Sequence, residues 1–373
     1  HNSATSDAIT TAADGTCTAR ITGMTGGGGL SHRNLIINGA MQVAQRSTSA
    51  VNIPGGKTVT DVDRFGQWTK TADGNWKSAQ QVYDAPADFQ FSRKITSLAA
   101  NTIEAGTYHT VRYAVEGYDA AQLNCGLSSA KTVTLSFYVK SSLTGTFGLN
   151  FTNGANNRSY PTTYTISNPN VWERKTITVT LDTSGTWLKT NGVGLEINWH
   201  LAIGSSYSTS TLNQWQGNWR FPSSATDILA TNGATWQLTG VQLEVGNIAT
   251  SFEHRSFVDE LIRCQRYYEK SYPYTIVPGT APYFSSSYMM RDGTASSVVR
   301  YYPVNYKVVK RASPNITLYN PQTGVSGGCR LDSGNYSAAP SSPEDSRMMV
   351  YSDTGSPPSH YGIYFHYTLD AEM

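Results

Sequence analysis

With 373 residues, 39% of them hydrophobic, the chain is long enough for two or three units that each bury a core. Charged residues make up 14% against a usual ~25%, and a formal net charge of +2 gives no field that would attract nucleic acid or an anionic membrane surface. No run approaches the ~18 apolar residues of a membrane span and no signal segment opens the chain, so neither nucleic-acid binding nor membrane insertion is expected.

The remaining composition favours short strands and turns: 33 Gly, 23 Tyr and abundant Ser, Thr and Asn. The first residue is His1, which reads as a processed product or a fragment whose attachment point lies upstream. Residues 1–33 cannot form a domain. Their one alternating stretch, Thr16 to Thr22, precedes Gly26-Gly27-Gly28-Gly29, a flexible joint. A lone short strand buries nothing within its own chain, so its expected partner is the same segment of neighbouring copies.

Residues 34–255 read as a β-sandwich opened by Leu35-Ile36-Ile37-Asn38-Gly39. Strands are predicted from Lys131 to Lys140, Thr146 to Phe151 and Glu173 to Leu181. The clearest prediction runs from Val193 to Leu201, where apolar and polar residues alternate strictly. Trp236 and Leu238 share one parity while Val241, Leu243 and Val245 share the other. A bulge at Gly240 would therefore put both sets on the core face.

A connecting helix is predicted over 256–270. Ser256 and Asp259 form a capping box, and Phe257, Leu261, Cys264 and Tyr268 fall on one stripe. Residues 271–373 return to strands, at 298–302, 315–319 and 361–369, with turns at Asn320 to Gly324 and Ser356 to Pro358. This small tyrosine-rich module reads as a tip. Cys17, Cys125, Cys264 and Cys329 contain no close pair, which argues for separate buried thiols, although their even number leaves a disulfide open. Acceptor triplets for glycosylation at Asn150, Asn157, Asn315 and Asn335 are what an Asn/Ser/Thr-rich chain yields by chance.

Catalytic signatures are missing: there is no Gly-x-Ser-x-Gly, P-loop, His-Glu-x-x-His or Cys-x-x-Cys. The acids Asp61, Asp63, Glu173, Glu196, Asp227 and Glu244 show no spacing that forces the paired carboxylates of a glycosidase. No long β-helix repeat is visible either. A non-enzymatic role is therefore expected.

Three passages carry a resemblance. Asn34-Leu-Ile-Ile-Asn-Gly-Ala-Met-Gln-Val-Ala-Gln-Arg46 resembles the opening of a domain in tail fibers of marine podovirus-like phages. Trp236 to Gly246 with Phe252 to Ser256 resembles that domain's last strand, and Glu260 to Tyr268 the helix after it. The preamble Ser6 to Cys17 and the ending His366 to Glu372 also recur there. The resemblance implies an all-β fold: a jelly-roll β-sandwich similar to carbohydrate-binding modules, a stalk, a connecting helix and a tip, intertwined as a homotrimer. It implies an adhesive protein of the virion tail fiber, extracellular in function and assembled in the host cytoplasm. Expected partners are upstream tail or adaptor proteins and a host surface polysaccharide or receptor. The rival readings are a capsid decoration without a receptor role and a carbohydrate-binding module of a secreted cellular protein.

Sugar rings stack on aromatic side chains, and their hydroxyls take amide, carboxylate or guanidinium partners. Trp199 and Trp236 lie in alternating strands and read as core. Trp215, Trp219 and Arg220 sit in a polar stretch without alternation. Trp68 and Trp76 flank a turn. These five are the ligand candidates of the sandwich. In the tip, Tyr283, Tyr288, Tyr301 and Tyr302, with Tyr306 and Tyr336, offer rigid amphipathic contact area. No cofactor is expected apart from a structural calcium, for which the resemblance points to Asn38 and Glu244 near the first and last strands. His360 and His366 share a parity and are a weaker metal pair near a threefold axis.

Overall fold

The computed structural model describes residues 32–53, 55–70, 77–291, 300–331, 334–352 and 362–373, with the backbone of two short strands nearer the start. Those two, Ile9–Thr11 and Cys17–Ala19, pair antiparallel with each other. The Cys17 segment thus finds a partner in its own chain rather than only in a neighbour. The Gly26–Gly29 joint, Trp76, His360 and the turn at Ser356 to Pro358 lie outside the described residues.

Two antiparallel sheets face each other. The seven-stranded sheet runs Gln216–Gly217, Arg158–Ile166, Gly145–Thr152, Val193–Ile203, Tyr108–Glu116, Phe65–Lys70 and Gly56–Thr58. The six-stranded sheet runs Glu173–Thr180, Thr132–Ser141, Thr235–Val245, Ser92–Ser97, Lys77–Val82 and Val51–Asn52. The chain passes back and forth between the sheets, the crossing pattern of a jelly roll. Alternation explains the core. Val133, Leu135, Phe137 and Val139 from one sheet meet Leu195, Ile197, Trp199 and Leu201 from the other, all without solvent exposure. Each such side chain contributes about 1.5–3 kcal/mol of transfer free energy.

The bulge at Gly240 is present. Pairing between Thr235–Val245 and Thr132–Ser141 slips between Thr239 and Gln242, and Trp236, Leu238, Val241 and Leu243 are all buried. Gly240 has φ +60°, and a Cβ there would lie 2.8 Å from atoms of Phe89 and Tyr138, so only glycine fits. By contrast, Leu35 to Gly39 forms no strand. Its backbone is held by Leu35 N–H to the Leu243 carbonyl (2.9 Å), and Asn38 takes a left-handed conformation at φ +62°.

The helix spans Phe257–Gln265, with the Ser256 hydroxyl accepting from Asp259 N–H (3.1 Å) as the capping box requires. It ends five residues before the predicted end at 270, because Tyr268–Lys270 turns extended and pairs with the strand Gly362–Asp370. Cys264 is buried, but Phe257 is 41% exposed, and the other buried residues of the helix are Glu260 and Gln265. Cys125 and Cys264 are free and buried, and Cys329 is buried as well.

The three passages singled out in the sequence pack against one another here. Asn34 accepts from Leu243 N–H (3.1 Å), and Glu260 accepts from Asn38 N–H (2.7 Å). Arg255 donates to the Ile36 carbonyl (3.0 Å) and to Glu260 (3.2 Å), and Gln45 to the Tyr268 carbonyl (2.8 Å). Asp63 is fully buried at the same junction, contacted by Gln45 and, at 3.2 Å, by Arg46. Burial pushes its carboxyl up to about 6, against the pull of Arg46. The folded chain therefore holds this proton more tightly than the unfolded chain, whose carboxyl titrates near ~3.9. The stability this group contributes is fully present below pH ~4 and is lost as pH rises through its folded value. The advantage of wild type over Asp63→Asn in denaturant unfolding is thus expected to shrink between about pH 4 and 6.5. A difference that grows over that interval would contradict the assignment.

In the tip, Gly362–Asp370 is the central strand. Tyr268–Lys270 and Asn315–Tyr319 flank its C-terminal half, and Tyr288–Arg291 and Gly328–Leu331 its N-terminal half. A second sheet of Arg300–Asn305, Arg347–Ser352 and Ala339–Ser341 joins its core at Val304, Met348 and Val350. Among the described residues no helix is long and apolar enough to cross a membrane.

Candidate functional site

The inner face of the seven-stranded sheet packs in the sandwich core. Its outer face is polar, and it is where the chain concentrates paired charge, amides and aromatic rings. Strict alternation in Val193–Ile203 places Glu196, Asn198 and His200 on this outer face, and pairing aligns Asn150, Asn198 and Arg112 across three strands. All five side chains are nonetheless buried. Arg112 Nε donates to Glu196 (2.7 Å), while Asn198 Nδ2 contacts both Glu196 (3.0 Å) and Asn150 Oδ1 (3.1 Å). Asn150 in turn donates to the Arg220 carbonyl (2.9 Å). The result is a rigid hydrogen-bonded floor. It is closed at one end by the 205–222 segment and at the other by the Met373 carbonyl, which accepts from Arg112. A cleft of about 280 Å³ remains at that second end, between Lys57, Thr58, Arg112 and Glu372.

An aromatic shelf borders the floor. Trp68 lies in Phe65–Lys70 opposite Thr110, on the outer face. Its ring centre is 4.4 Å from that of Trp219 at an interplanar angle of 36°, and Tyr108 meets it edge-on at 5.3 Å. Trp219 is also enclosed edge-on by Tyr108 (4.7 Å), Tyr207 (5.7 Å) and Phe221 (4.8 Å). Lys57 Nζ also lies over the Trp68 ring, 3.9 Å from its centre. The Lys57 side chain is partly exposed, and its ammonium is also 4.0 Å from Glu196. Desolvation and then the neighbouring Arg112 pull its ammonium below the ordinary lysine range, against Glu196. Lys70 donates to the Tyr207 hydroxyl (3.1 Å) at the rim.

This placement corrects several expectations. Trp219 is buried, because the polar stretch that carries it folds down onto the sheet, so it braces Trp68 instead of meeting solvent. Trp215 points elsewhere: its indole N–H donates to the Thr180 carbonyl (2.9 Å), and it packs on Trp187 and Tyr160 at the sheet's edge. Arg220 is held down by the Ser206 carbonyl. Among the described ligand candidates of the sandwich, Trp68 is the one whose indole carries a lysine, Lys57, against its ring.

In the tip, Tyr288 stacks on Phe365 (5.8 Å), and Tyr302, Tyr306 and Tyr336 pack against the tip core, so they hold the module together. Tyr283 leans on His366 (5.8 Å). Tyr301, 55% exposed beside Tyr351, is the open ring among them. His366 is fully buried, stacked on Tyr272 at 3.8 Å, with one ring nitrogen on Ser271 (2.9 Å) and the other on the Tyr283 carbonyl (3.0 Å). Engaged this way inside its own chain, it cannot approach a threefold axis.

The calcium candidates are likewise engaged. Asn38 donates to the Val43 and Asp63 carbonyls and accepts from Val43 N–H. Glu244 accepts from Thr250 and Gln242. Among the described residues no three His, Cys, Asp or Glu side chains stand close enough to hold a metal ion.

Sequence reasoning missed Lys57, Tyr207 and the Arg112–Glu196 pair. The alternation that marked Val193–Ile203 already put Glu196 and Asn198 on one polar face. For Lys57 and Tyr207, which come from short connecting segments, the sequence carries no comparable signal.

No protein-family model matches the chain, and no curated protein sequence does. Similar solved structures include the enzymatically active domain of tailspike protein 4 of bacteriophage CBA120, at 14% identity over 57% of this chain, with a TM-score of 0.29. The chain spans 21% of that protein's length. A putative sugar binding protein from Bacteroides thetaiotaomicron is similar at 11% identity, covering 57% of this chain and 99% of its own, TM-score 0.33. A family 11 carbohydrate-binding module from Clostridium thermocellum is similar at 10% identity over 56% of this chain and 99% of its own, TM-score 0.27.

Proposed function

We propose that this chain is an adhesive virion protein, the distal part of a bacteriophage tail fiber, which binds a glycan of the host surface as a homotrimer and catalyses nothing. The observation that carries the binding reading is the Trp68 ring. It is braced by Trp219, covered by Lys57, and set beside the fixed amides and ion pair of Asn198, Asn150, Arg112 and Glu196. When Lys57 swings aside, a pyranose can stack on the indole, and its hydroxyls can meet the adjoining cleft lined by Thr58, Arg112 and Glu372, whose Arg112 the floor already orients. Such a site is weak by itself, and three copies per fiber raise its avidity by ~10²–10⁴. The assembly is supported by the helix, whose Val258 (61% exposed) and Ile262 (48%) form an apolar ridge one turn apart that a neighbouring copy would cover. The packing of the three fiber-like passages into one junction fits the same reading.

Host-derived surface polysaccharide immobilised on a sensor is the direct test. Trp68→Ala is expected to weaken binding about tenfold, since ring stacking contributes ~0.5–1.5 kcal/mol beyond area burial. Lys57→Ala, a change at an exposed position, is expected to keep or improve binding. Retained binding by Trp68→Ala would remove the site. Light scattering of the purified chain should give three times the mass of one chain, and a monomer at micromolar concentration would remove the fiber reading.

A further inference from the structure

A second cleft, of about 440 Å³, lies where the 42–48 segment, the six-stranded sheet, the start of the helix and the 274–277 loop meet. That size falls in the ~300–1,000 Å³ range of small-ligand sites. Its mouth carries Tyr83, 81% exposed, whose ring rests on Phe91 with centres 4.6 Å apart. An aromatic side chain this open at the lip of a cleft, backed by a second ring, is a stacking platform already held in place. The uncharged polar lining is amide and hydroxyl, the latter from Ser47, Thr48 and Thr275. Gln81 donates to the Met41 carbonyl (2.6 Å), Gln90 is exposed, and the side-chain oxygen of Gln42 meets no donor among the described residues.

Two cations stand in the wall, and they would point to an acidic ligand if they were available. They are not. Arg46 faces Asp63 (3.2 Å), Asp370 (3.1 Å) and Glu372 (3.6 Å), and Lys270 Nζ donates to the carbonyls of Gln45 (2.6 Å), Tyr274 (2.8 Å) and Ile276 (2.8 Å). Three donors are all that an ammonium has. No carboxylate lines the cleft among the described residues. An uncharged ligand with one apolar face and several hydroxyls fits this lining better than an anion or a lipid does.

We propose that this cleft is a second carbohydrate subsite, which takes a neutral hexose with its apolar face on Tyr83 and its hydroxyls on the amides of Gln42 and Gln90. It is separate from the Trp68 site, and shares with it only the premise that the chain binds glycan. Because Lys270 and Tyr274 come from beyond the helix and pin the 42–45 segment, the subsite is complete only when sandwich and tip are docked.

The test uses diazirine-bearing methyl glucoside, galactoside and mannoside on the full chain, followed by peptide mass spectrometry. Labelling is expected within residues 42–48 and 81–91, and excess unmodified methyl hexoside should block it. Tyr83→Ala should cut that labelling about tenfold, while Tyr83→Phe retains it, because only the ring is needed. Tyr83 is exposed, so neither change threatens folding. Blockable labelling only at 57–70 and 205–222 would overturn this subsite and leave the Trp68 site standing, and labelling nowhere would count against both. Unchanged labelling in Tyr83→Ala, or a methyl glucuronide that outcompetes the neutral probes, would also overturn it.

Discussion

Arg93→Ala should destabilise the sandwich by about 3–5 kcal/mol, because it strands a carboxylate in the core. Arg93 and Asp61 are both 0% exposed, and the pair joins the two sheets from inside. Arg93 belongs to Ser92–Ser97 of the six-stranded sheet, while Asp61 leads into Phe65–Lys70 of the seven-stranded one. Its Nε lies 3.1 and 3.0 Å from the two Asp61 oxygens, and one terminal nitrogen is 2.8 Å from Oδ1. The remaining donors reach the Gly66 carbonyl (3.0 Å) and Gln67 Oε1, so the guanidinium is engaged on every side. Removing one partner leaves the other charged in a medium that solvates it badly, whereas removing both need not. The double variant Arg93→Met with Asp61→Leu should therefore recover most of the loss. For a unit of this size the single change lowers Tm by roughly 10 °C. A loss below about 1 kcal/mol for Arg93→Ala, or a double variant no better than the single, would show that the pair is not the tie between the sheets.

The sequence makes the sandwich legible because its strands are long enough for parity to declare itself. Val193–Ile203 and Thr132–Ser141 could be placed from alternation alone, and a parity switch around one glycine was enough to locate the bulge at Gly240. Local signals fail where a distant segment decides. The helix looks longer in sequence than it is because Tyr268 continues the apolar stripe. Pairing of Tyr268 with Asp370, a hundred residues away, pulls the chain extended instead. Trp219 looked open because its neighbours are polar, yet the ring is buried by Trp68, Tyr108 and Tyr207, which come from three other segments. The passages most recognisable in sequence, around Asn34, Arg255 and Glu260, turn out to be joints rather than binding surfaces. Their side chains satisfy backbone groups where the chain turns from sandwich to helix. Such residues are legible because they are architecturally demanding. A ligand site made of Trp68, Lys57 and Asn198 has no local pattern to announce it.

The second large effect is expected in the tip. Glu269 and Lys310 are an ion pair with no solvent exposure on either side chain, 2.7 Å apart. Glu269 also accepts from the Tyr367 hydroxyl (3.0 Å) and from Lys307 N–H (3.0 Å). Lys310 Nζ donates further to the Gln265 and Val308 carbonyls, both at 2.6 Å. One carboxylate thereby ties the strand after the helix to the central strand of the tip and to the 307–310 segment. Lys310→Met deprives that carboxylate of its counter-charge and leaves the helix-end carbonyl of Gln265 without its donor. A loss of about 3–5 kcal/mol follows. The two modules have separate cores, so the damage should be local. Amide hydrogen exchange in Gly362–Asp370 should accelerate at least a hundredfold, while Val193–Ile203 keeps its protection, a contrast that corresponds to roughly 3 kcal/mol of lost local stability. Adding Glu269→Leu to Lys310→Met should slow tip exchange again, since no stranded charge remains. Equal acceleration in both modules would mean that sandwich and tip unfold as one unit, and unchanged exchange in the tip would mean that this ion pair does not hold it.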